Sequence, residues 1–254
     1  MMSETVIREV TENVWTFSRP FTVGGFLPVG GRSVAIKLSN GGVLLVASTP
    51  LDAETKQKVD KLGPVQYIIG SNAAHYLFLG EYKRAYPNAK LLAPEDAVSK
   101  PATKSLKFDG IWGRDAPNTV YGFEEDVSRT TITISRYFPG RANKDVVFFH
   151  PASRTLIQAD LVFNLPCTEQ ARSPFYIHYS KSKSSGKTLF AGAFKPSWLQ
   201  SKLTSLLVQD KAAMKRDIAT VMKWDFDRII PCHGDVIERD GKSAFSLVFK
   251  TYLS

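Results

Sequence analysis

Two stretches of the chain repeat the same order of patterns, first alternation with a period of two and then helical spacing. The alternating segments of the first half lie at 14–17, 33–38 and 43–47, and Asn40-Gly41-Gly42 marks the turn between the last two. Those of the second half lie at 130–134, 145–149 and 155–159. Two β-rich halves that each end in helices predict a layered α/β arrangement of sheet on sheet with helices outside.

Helical segments separate and follow these strands. Ala53, Val59 and Leu62 share one helix face, which Gly63-Pro64 ends, and a buried strand is predicted directly after it at 65–69. We also predict a helix at 77–86, a strand at 90–93, an amphipathic helix at 205–223 and a last strand at 228–231. No linker interrupts the chain, so one domain is expected over 1–254, with halves at 1–125 and 126–254.

The composition is that of a globular protein, because 43% of the 254 residues are hydrophobic and 22% are charged. The start of the chain is polar and acidic, and no apolar stretch reaches membrane-spanning length. We therefore expect a soluble, cytoplasmic protein with no membrane partner. The two cysteines, Cys167 and Cys232, are expected to be reduced thiols.

The formal net charge of +9 would attract anionic ligands or nucleic acid. However, the basic residues are spread along the chain and are dense only at 181–187, which we expect to be a solvated loop. No aromatic residues alternate with them in the way that a single-strand binder requires. A nucleic-acid partner is therefore not expected.

Three polar side chains with metal-binding or acid–base chemistry follow predicted buried strands. These are His75, Asp160 and His233, and the chain has only four histidines in total. Layered α/β folds gather functional loops at strand ends, where the sheet positions side chains that the loops leave accessible. One carboxylate and two imidazoles could share a single metal ion.

Three later segments follow one another in an order that resembles the metallo-β-lactamase superfamily: Tyr137-Phe138-Pro139-Gly140, Leu156 to Asp160, and Pro231-Cys232-His233-Gly234. That family carries a His-x-His-x-Asp-His loop, a His-Thr-Pro-Gly turn, a strand ending in Asp, and a late strand followed by His-Gly. The resemblance spans residues 10–238. It implies a four-layer αββα sandwich of the α/β class.

The loop that carries most ligands in that family is degenerate here, since it reads Gly70-Ser71-Asn72-Ala73-Ala74-His75. By the resemblance, Gly70 and Asn72 replace two histidines, Ala74 replaces the aspartate and Tyr137 replaces the histidine of the turn. The resemblance therefore implies that the family's first metal site is absent.

The second metal site of the family is better preserved. His75, Asp160 and His233 correspond to three of its four ligands, which implies at most one zinc or other divalent ion. Three protein ligands and a water form an ordinary catalytic zinc arrangement. The alternative is a metal-free cleft in which hydrogen bonds hold the same three residues.

Other side chains are candidates for chemistry beside His75 and Asp160. Tyr137 takes a ligand position in the resemblance, so its phenol is expected to point into the cleft and stabilise an oxyanion, with plain packing as the alternative. Ser48, Ser71 and Cys232 could act as nucleophiles beside an imidazole. None has a nucleophile-elbow pattern, and Cys232 is expected to pack against its strand.

Several further residues are assigned by position. Arg141, with Lys195 or Arg172, could place positive charge near the cleft, although a solvated arginine is the favoured interpretation. His150 and His178 are expected to serve structure or to line the pocket. Aromatic residues after Asp160 could line the cleft and would suit an apolar or aromatic substrate: Phe175, Tyr176 and Tyr179.

Two functions of different class follow from these features. The first is a hydrolase acting on an ester, lactone, thioester or amide of a small molecule, with His75, Asp160 and His233 holding one metal or, without metal, polarising water. The second is a non-catalytic protein that binds a small metabolite or a protein partner in the same cleft. A nuclease of the same superfamily would explain the positive charge. Such enzymes use the intact ligand set, which this chain lacks, so this function ranks last.

Overall fold

The computed structural model describes residues 5–24, 27–124, 134–170 and 194–253. The strands are β1 (Val6–Thr11), β2 (Val14–Arg19), β3 (Thr22–Val23), β4 (Leu27–Pro28), β5 (Gly31–Lys37), β6 (Val43–Val46), β7 (Val65–Ile69), β8 (Lys90–Pro94), β9 (Gly110–Trp112), β10 (Ile134–Tyr137), β11 (Val146–His150), β12 (Thr155–Gln158) and β13 (Arg228–Pro231). The helices are α1 (Ala53–Leu62), α2 (Leu79–Ala85), α3 (Glu95–Val98), α4 (Trp198–Leu206), α5 (Lys211–Val221) and α6 (Gly241–Val248). Short 3-10 turns lie at Pro101–Thr103, Pro151–Ser153 and Lys250–Tyr252.

The described strands form two main sheets, one from each half of the chain. The first has the order β1-β2-β5-β6-β7-β8-β9, antiparallel up to β6 and parallel from β6 to β9. The second has the order β10-β11-β12-β13, in which only β12 and β13 run parallel. A small hairpin pairs β3 with β4.

Alternation along the strands separates the core into layers. Leu44 of the first sheet and Phe148 of the second belong to one buried cluster between the two sheets. The neighbouring residues face outward: Leu45 packs on α1 and α2, and Val147 packs on α5 and α6. The chain therefore folds as an αββα sandwich, because each sheet buries both faces and the period of two assigns alternate residues to different layers.

The single helix expected at 205–223 is two helices in the structure. Asp210 starts α5 by accepting a hydrogen bond from the Ala213 amide at 2.9 Å. The amides of Gln209 and Asp210 donate to the Gly140 carbonyl at 2.8 and 3.1 Å instead of continuing α4. Gly140 permits this approach, since a Cβ there would lie 2.5 Å from the Asp210 carbonyl oxygen. A tertiary contact thus ends a helix that periodicity alone would extend.

The other elements that the sequence predicts within the described residues agree with the structure to within one or two residues at each end. Asp52 caps α1, where it accepts from the Thr55 amide at 2.8 Å. The predicted strand at 130–134 lies outside the described residues except for Ile134. Over the described parts of the chain, no helix is both long enough and apolar enough to cross a membrane.

Candidate functional site

Three strand ends bring the predicted residues together. His75 lies in the loop between β7 and α2, Asp160 follows β12, and His233 follows β13. Parallel pairing of β12 with β13 places their carboxyl ends side by side. The Asp160 Oδ1 atom lies 3.4 Å from Nε2 of His75 and 3.3 Å from Nε2 of His233. The carboxylate therefore links the two imidazoles.

Cys232 belongs to the same cluster. Its Sγ atom lies 3.7 Å from Nδ1 of His75, and the ligand atoms of His75, Cys232 and His233 all lie within 4.8 Å of one another. Cys232 is buried, and its thiol lies beside an imidazole in addition to packing at the end of its strand. Its place beside His233 at a strand end was the signal in the sequence. We call His75, Cys232 and His233 the imidazole side of the site.

Two amides hold the opposite face of Asp160. Its Oδ2 atom accepts hydrogen bonds from Asn72 and Asn143, each at 2.8 Å. Asn72 also shapes the loop that carries His75, because its Oδ1 accepts from the amides of Ala74 and His75 at 2.8 and 3.0 Å. The amides thus fix the carboxylate and leave Oδ1 toward the imidazoles.

A buried ion pair lies behind these amides. Arg141 Nε lies 3.1 Å from Asp145 Oδ2, and both side chains are at most 1% exposed. Arg141 also donates to the Asp160 carbonyl, and Asp145 Oδ1 accepts from the Asp160 amide at 3.1 Å. A solvated Arg141 is therefore wrong. We call Asn72, Arg141, Asn143 and Asp145 the ion-pair side of the site.

The imidazole side and Asp160 favour charged forms of one another. Burial raises the pKa of Asp160, but the two imidazoles outweigh it and hold that pKa well below its usual range. Burial lowers the pKa of His75, yet Cys232 and Asp160 together raise it well above its ordinary value. Burial raises the pKa of Cys232, whereas the charges of His75 and His233 bring it down to about 6. Carboxylate and thiolate are the forms that bind metal ions, whereas each imidazole must lose its proton to do so.

These residues fit one metal ion. The separations of 3.3 and 3.4 Å between Asp160 Oδ1 and the Nε2 atoms of His233 and His75 match the edges of a tetrahedron with ligands at about 2.0–2.3 Å, whereas Cys232 lies 3.7 Å from the other ring nitrogen of His75, Nδ1. The Nδ1 atom of His233 lies 2.5 Å from the Gly30 carbonyl, the partner that a ligating histidine uses to orient its other nitrogen. His75 and His233 would hold the ion with Asp160 when His75 binds through Nε2, or with Cys232 when His75 binds through Nδ1. The ion-pair side offers a guanidinium and amides, and does not fit a second one.

The loop that carries Cys232 and His233 is fastened to the first sheet by Arg32. This side chain is 1% exposed, and its Nη1 donates to the carbonyls of Pro231 and Gly234 at 2.6 and 2.7 Å. Gly234 adopts a φ of +88° at the end of the loop. Neither role could be seen in the sequence, because Arg32 lies about two hundred residues away from its partners.

The site forms the floor of a cavity of about 480 Å³. Phe163 stacks on the His233 ring with centroids 5.5 Å apart and 6° between planes, and Phe21 stacks at 6.1 Å. Leu77 and Leu207 also line the cavity, and both are exposed to solvent. The volume is in the range of small-molecule sites.

Tyr137 does not lie in this cavity. The residue ends β10, packs against the cluster between the sheets and lines a different cavity with Trp112 and Arg136. The expectation that its phenol enters the cleft is therefore wrong. The turn after β10 carries the chain past this point, so that Arg141 and Asn143 reach the site instead.

The remaining candidates divide clearly. Ser48 lines the cavity, while Ser71 is buried outside its lining and Lys195 is exposed. His150 is buried and bonds Ser153 Oγ at 2.7 Å, a structural role. Other candidates lie outside the described residues: Arg172, Phe175, Tyr176, His178, Tyr179 and the basic segment 181–187.

Comparison with solved structures defines the class of fold. The chain matches a metallo-β-lactamase from Pontibacter korlensis with a TM-score of 0.57 and 14% identity, over 98% of each chain. It matches FIM-1 of Pseudomonas aeruginosa, solved in a mono-zinc form, with a TM-score of 0.58 and 14% identity over 99% of this chain and 98% of that one. The Flv1 flavodiiron core of Synechocystis gives 0.65 at 12% identity, over 98% of this chain and 61% of that chain. The fold is that of the metallo-β-lactamase superfamily.

Within that fold, the chain belongs to the family DUF4336, described as a domain of unknown function, whose model matches residues 11–188. That range includes His75 and Asp160 and ends before Cys232 and His233. A search of curated proteins finds no match.

Proposed function

We propose that this chain is a divergent hydrolase of the metallo-β-lactamase fold, acting on an ester, lactone, thioester or amide of a small molecule with at most one metal ion. The observation that carries the proposal is the convergence of His75, Asp160 and His233 on the floor of a cavity of about 480 Å³. Buried titratable groups with shifted pKa values in a cleft are typical of active sites.

The residues have distinct roles in this proposal. In the metal-free form, the Oδ1 atom of Asp160, which lies 3.4 and 3.3 Å from the imidazoles of His75 and His233, accepts a proton of the attacking water, since Oδ2 is occupied by Asn72 and Asn143. The imidazolium of His75 donates its proton to the leaving alkoxide, thiolate or amine, and Asp160 then passes the proton of the water to His75 at 3.4 Å, which restores both groups. His233 orients the water. When bound, a divalent metal supplies Lewis acidity that polarises a carbonyl and makes water more acidic.

Metal analysis tests the metal site. We expect one equivalent of zinc or another divalent ion in protein purified without chelator, and only traces in His75→Ala and His233→Ala. His150→Ala is the matched control, because it removes a buried histidine outside the site. Absence of metal from the parent protein, together with ester and lactone turnover that neither site variant changes, would remove the hydrolase proposal.

A second candidate function is non-catalytic binding of a small metabolite or protein partner in the same cavity. The buried pair of Arg141 and Asp145 favours it, because a guanidinium beside Asp160 opposes the binding of a second cation there. A ligand that binds with unchanged affinity in His75→Ala and His233→Ala, with no turnover, would support this function over hydrolysis.

A further inference from the structure

Four exposed apolar side chains border the mouth of the cavity above the site. Phe21 is 48% exposed, Val23 49%, Leu77 61% and Leu207 43%, and all four belong to the cavity lining. They come from three separate parts of the chain. A single exposed leucine needs no explanation, whereas several around one opening mark a binding surface.

The apolar character continues inward to the reactive groups. Phe78 and Val29 line the cavity below the mouth, and Val29 is 3% exposed. Phe163 and Phe21 both stack on the ring of His233. An apolar path therefore runs from solvent to the imidazole side.

The charged groups of the described lining are already paired within the protein. Arg19 lies 3.2 Å from Asp52, and Arg141 lies 3.1 Å from Asp145. Asp160 is held between two imidazoles and two amides. A charged ligand would have to compete with these partners, and uncompensated burial of a charge is costly. A neutral ligand faces no such competition.

We infer that the substrate is a neutral carbonyl compound with an apolar acyl or aryl group, whose chain lies along Leu77, Phe21 and Phe163 while its carbonyl meets Asp160 and His233. This inference rests on the proposed hydrolase function and specifies its substrate class.

Two matched probe series test it. The first is a set of esters of one phenol with acetyl, butyryl, hexanoyl and octanoyl chains, followed by kcat/KM. The second is the set of methyl ketones with the same chains. The ketones are not cleaved, and their binding is measured by calorimetry. We expect ketone affinity to rise about threefold to fourfold per added methylene until the chain covers the apolar lining of the cavity. Ester kcat/KM should rise in parallel.

Leu77→Asp places a charge at the mouth and should flatten the dependence on chain length in both series. Leu247→Asp is the control, because Leu247 is 42% exposed and lies on α6 outside the lining. It should keep the parent profile.

The outcomes separate the two proposals. Ketone affinity that rises with chain length and falls in Leu77→Asp, without ester cleavage, supports the apolar ligand and overturns hydrolysis alone. Ester cleavage that does not depend on chain length overturns the apolar substrate and leaves the hydrolase. Absence of both binding and cleavage overturns both.

Discussion

The polar side-chain atoms on the two sides of the site are arranged differently. On the ion-pair side, Asn72, Asn143 and Asp145 direct their side chains into hydrogen bonds with one another or with Asp160. On the imidazole side, the ligand atoms of His75, Cys232 and His233 converge on one another. The first arrangement pairs each charged group with a neighbour of the protein, and the second places like donors together as a metal site does. Asp160 belongs to both.

The largest effect is expected from Arg141→Met in metal-free protein. This change leaves the fully buried carboxylate of Asp145 without its cation, and loss of one partner of a buried pair costs about 3–5 kcal/mol. Urea denaturation measures the loss. Arg154→Met is the control, since the pair Arg154–Asp225 is 55% and 77% exposed and should cost about 0–1 kcal/mol. Equal losses would contradict a structural role for the ion-pair side.

Asn143→Ala tests whether the ion-pair side supports the imidazole side through Asp160. It removes one of the two amide donors to Oδ2, and loss of such an outer partner lowers metal affinity about 10- to 100-fold. Competition with a chelator measures zinc affinity. Asn40→Ala, which removes an exposed amide bound to Gln66, should leave it unchanged. An unaltered zinc affinity in Asn143→Ala would show that Asp160, as held by Asn143, does not contribute to metal binding.

Cys232→Ser tests the sulfur on the imidazole side. Thiolate is a soft ligand, so cobalt bound through Cys232 should give a near-ultraviolet sulfur-to-metal absorption. We expect that absorption in the parent protein and in Cys167→Ser, whose thiol packs with Val29 and Leu165. It should be lost in Cys232→Ser. If the band survives there, the metal is held without the thiol.

The smallest effect concerns pH and a histidine outside the site. Burial lowers the pKa of His150, so its neutral form is favoured in the folded state. Its contribution is therefore present above the unfolded value of about 6.5 and is lost as pH falls below it. Gln can keep the bond to Ser153 without titrating. The stability of His150→Gln should decline less between neutral and acid pH than that of the parent, and parallel curves would exclude the effect.

More of the fold than of the site could be predicted from the sequence. Strand positions follow from the period of two, and the ends of β7, β12 and β13 follow from them, which is why His75, Asp160 and His233 could be named. The helix at 205–223 was too long because the Gly140 contact that divides it is tertiary. Tyr137 was placed in the cleft by its position in the resemblance. The residues of the same turn that reach the site come a few positions later, and the local sequence pattern does not distinguish the two.

The partners on the ion-pair side were harder to predict for a physical reason. Arg141 and Asp145 reach the site because each bonds the backbone of Asp160, and no periodicity in the sequence predicts that contact. Asn72 was seen only as a replaced ligand, whereas it bonds two backbone amides and two carboxylates.

The Arg32 guanidinium makes ligand binding a property of the whole chain. Because it joins β5 to the carbonyls on either side of Cys232 and His233, the imidazole side requires contact between the first sheet and the loop after β13. Any ion or molecule bound there stabilises the complete native state through mass action. A fragment cut to residues 11–188, the range of the family model, would lack the Pro231 and Gly234 carbonyls that Arg32 binds. It would also lack Cys232 and His233.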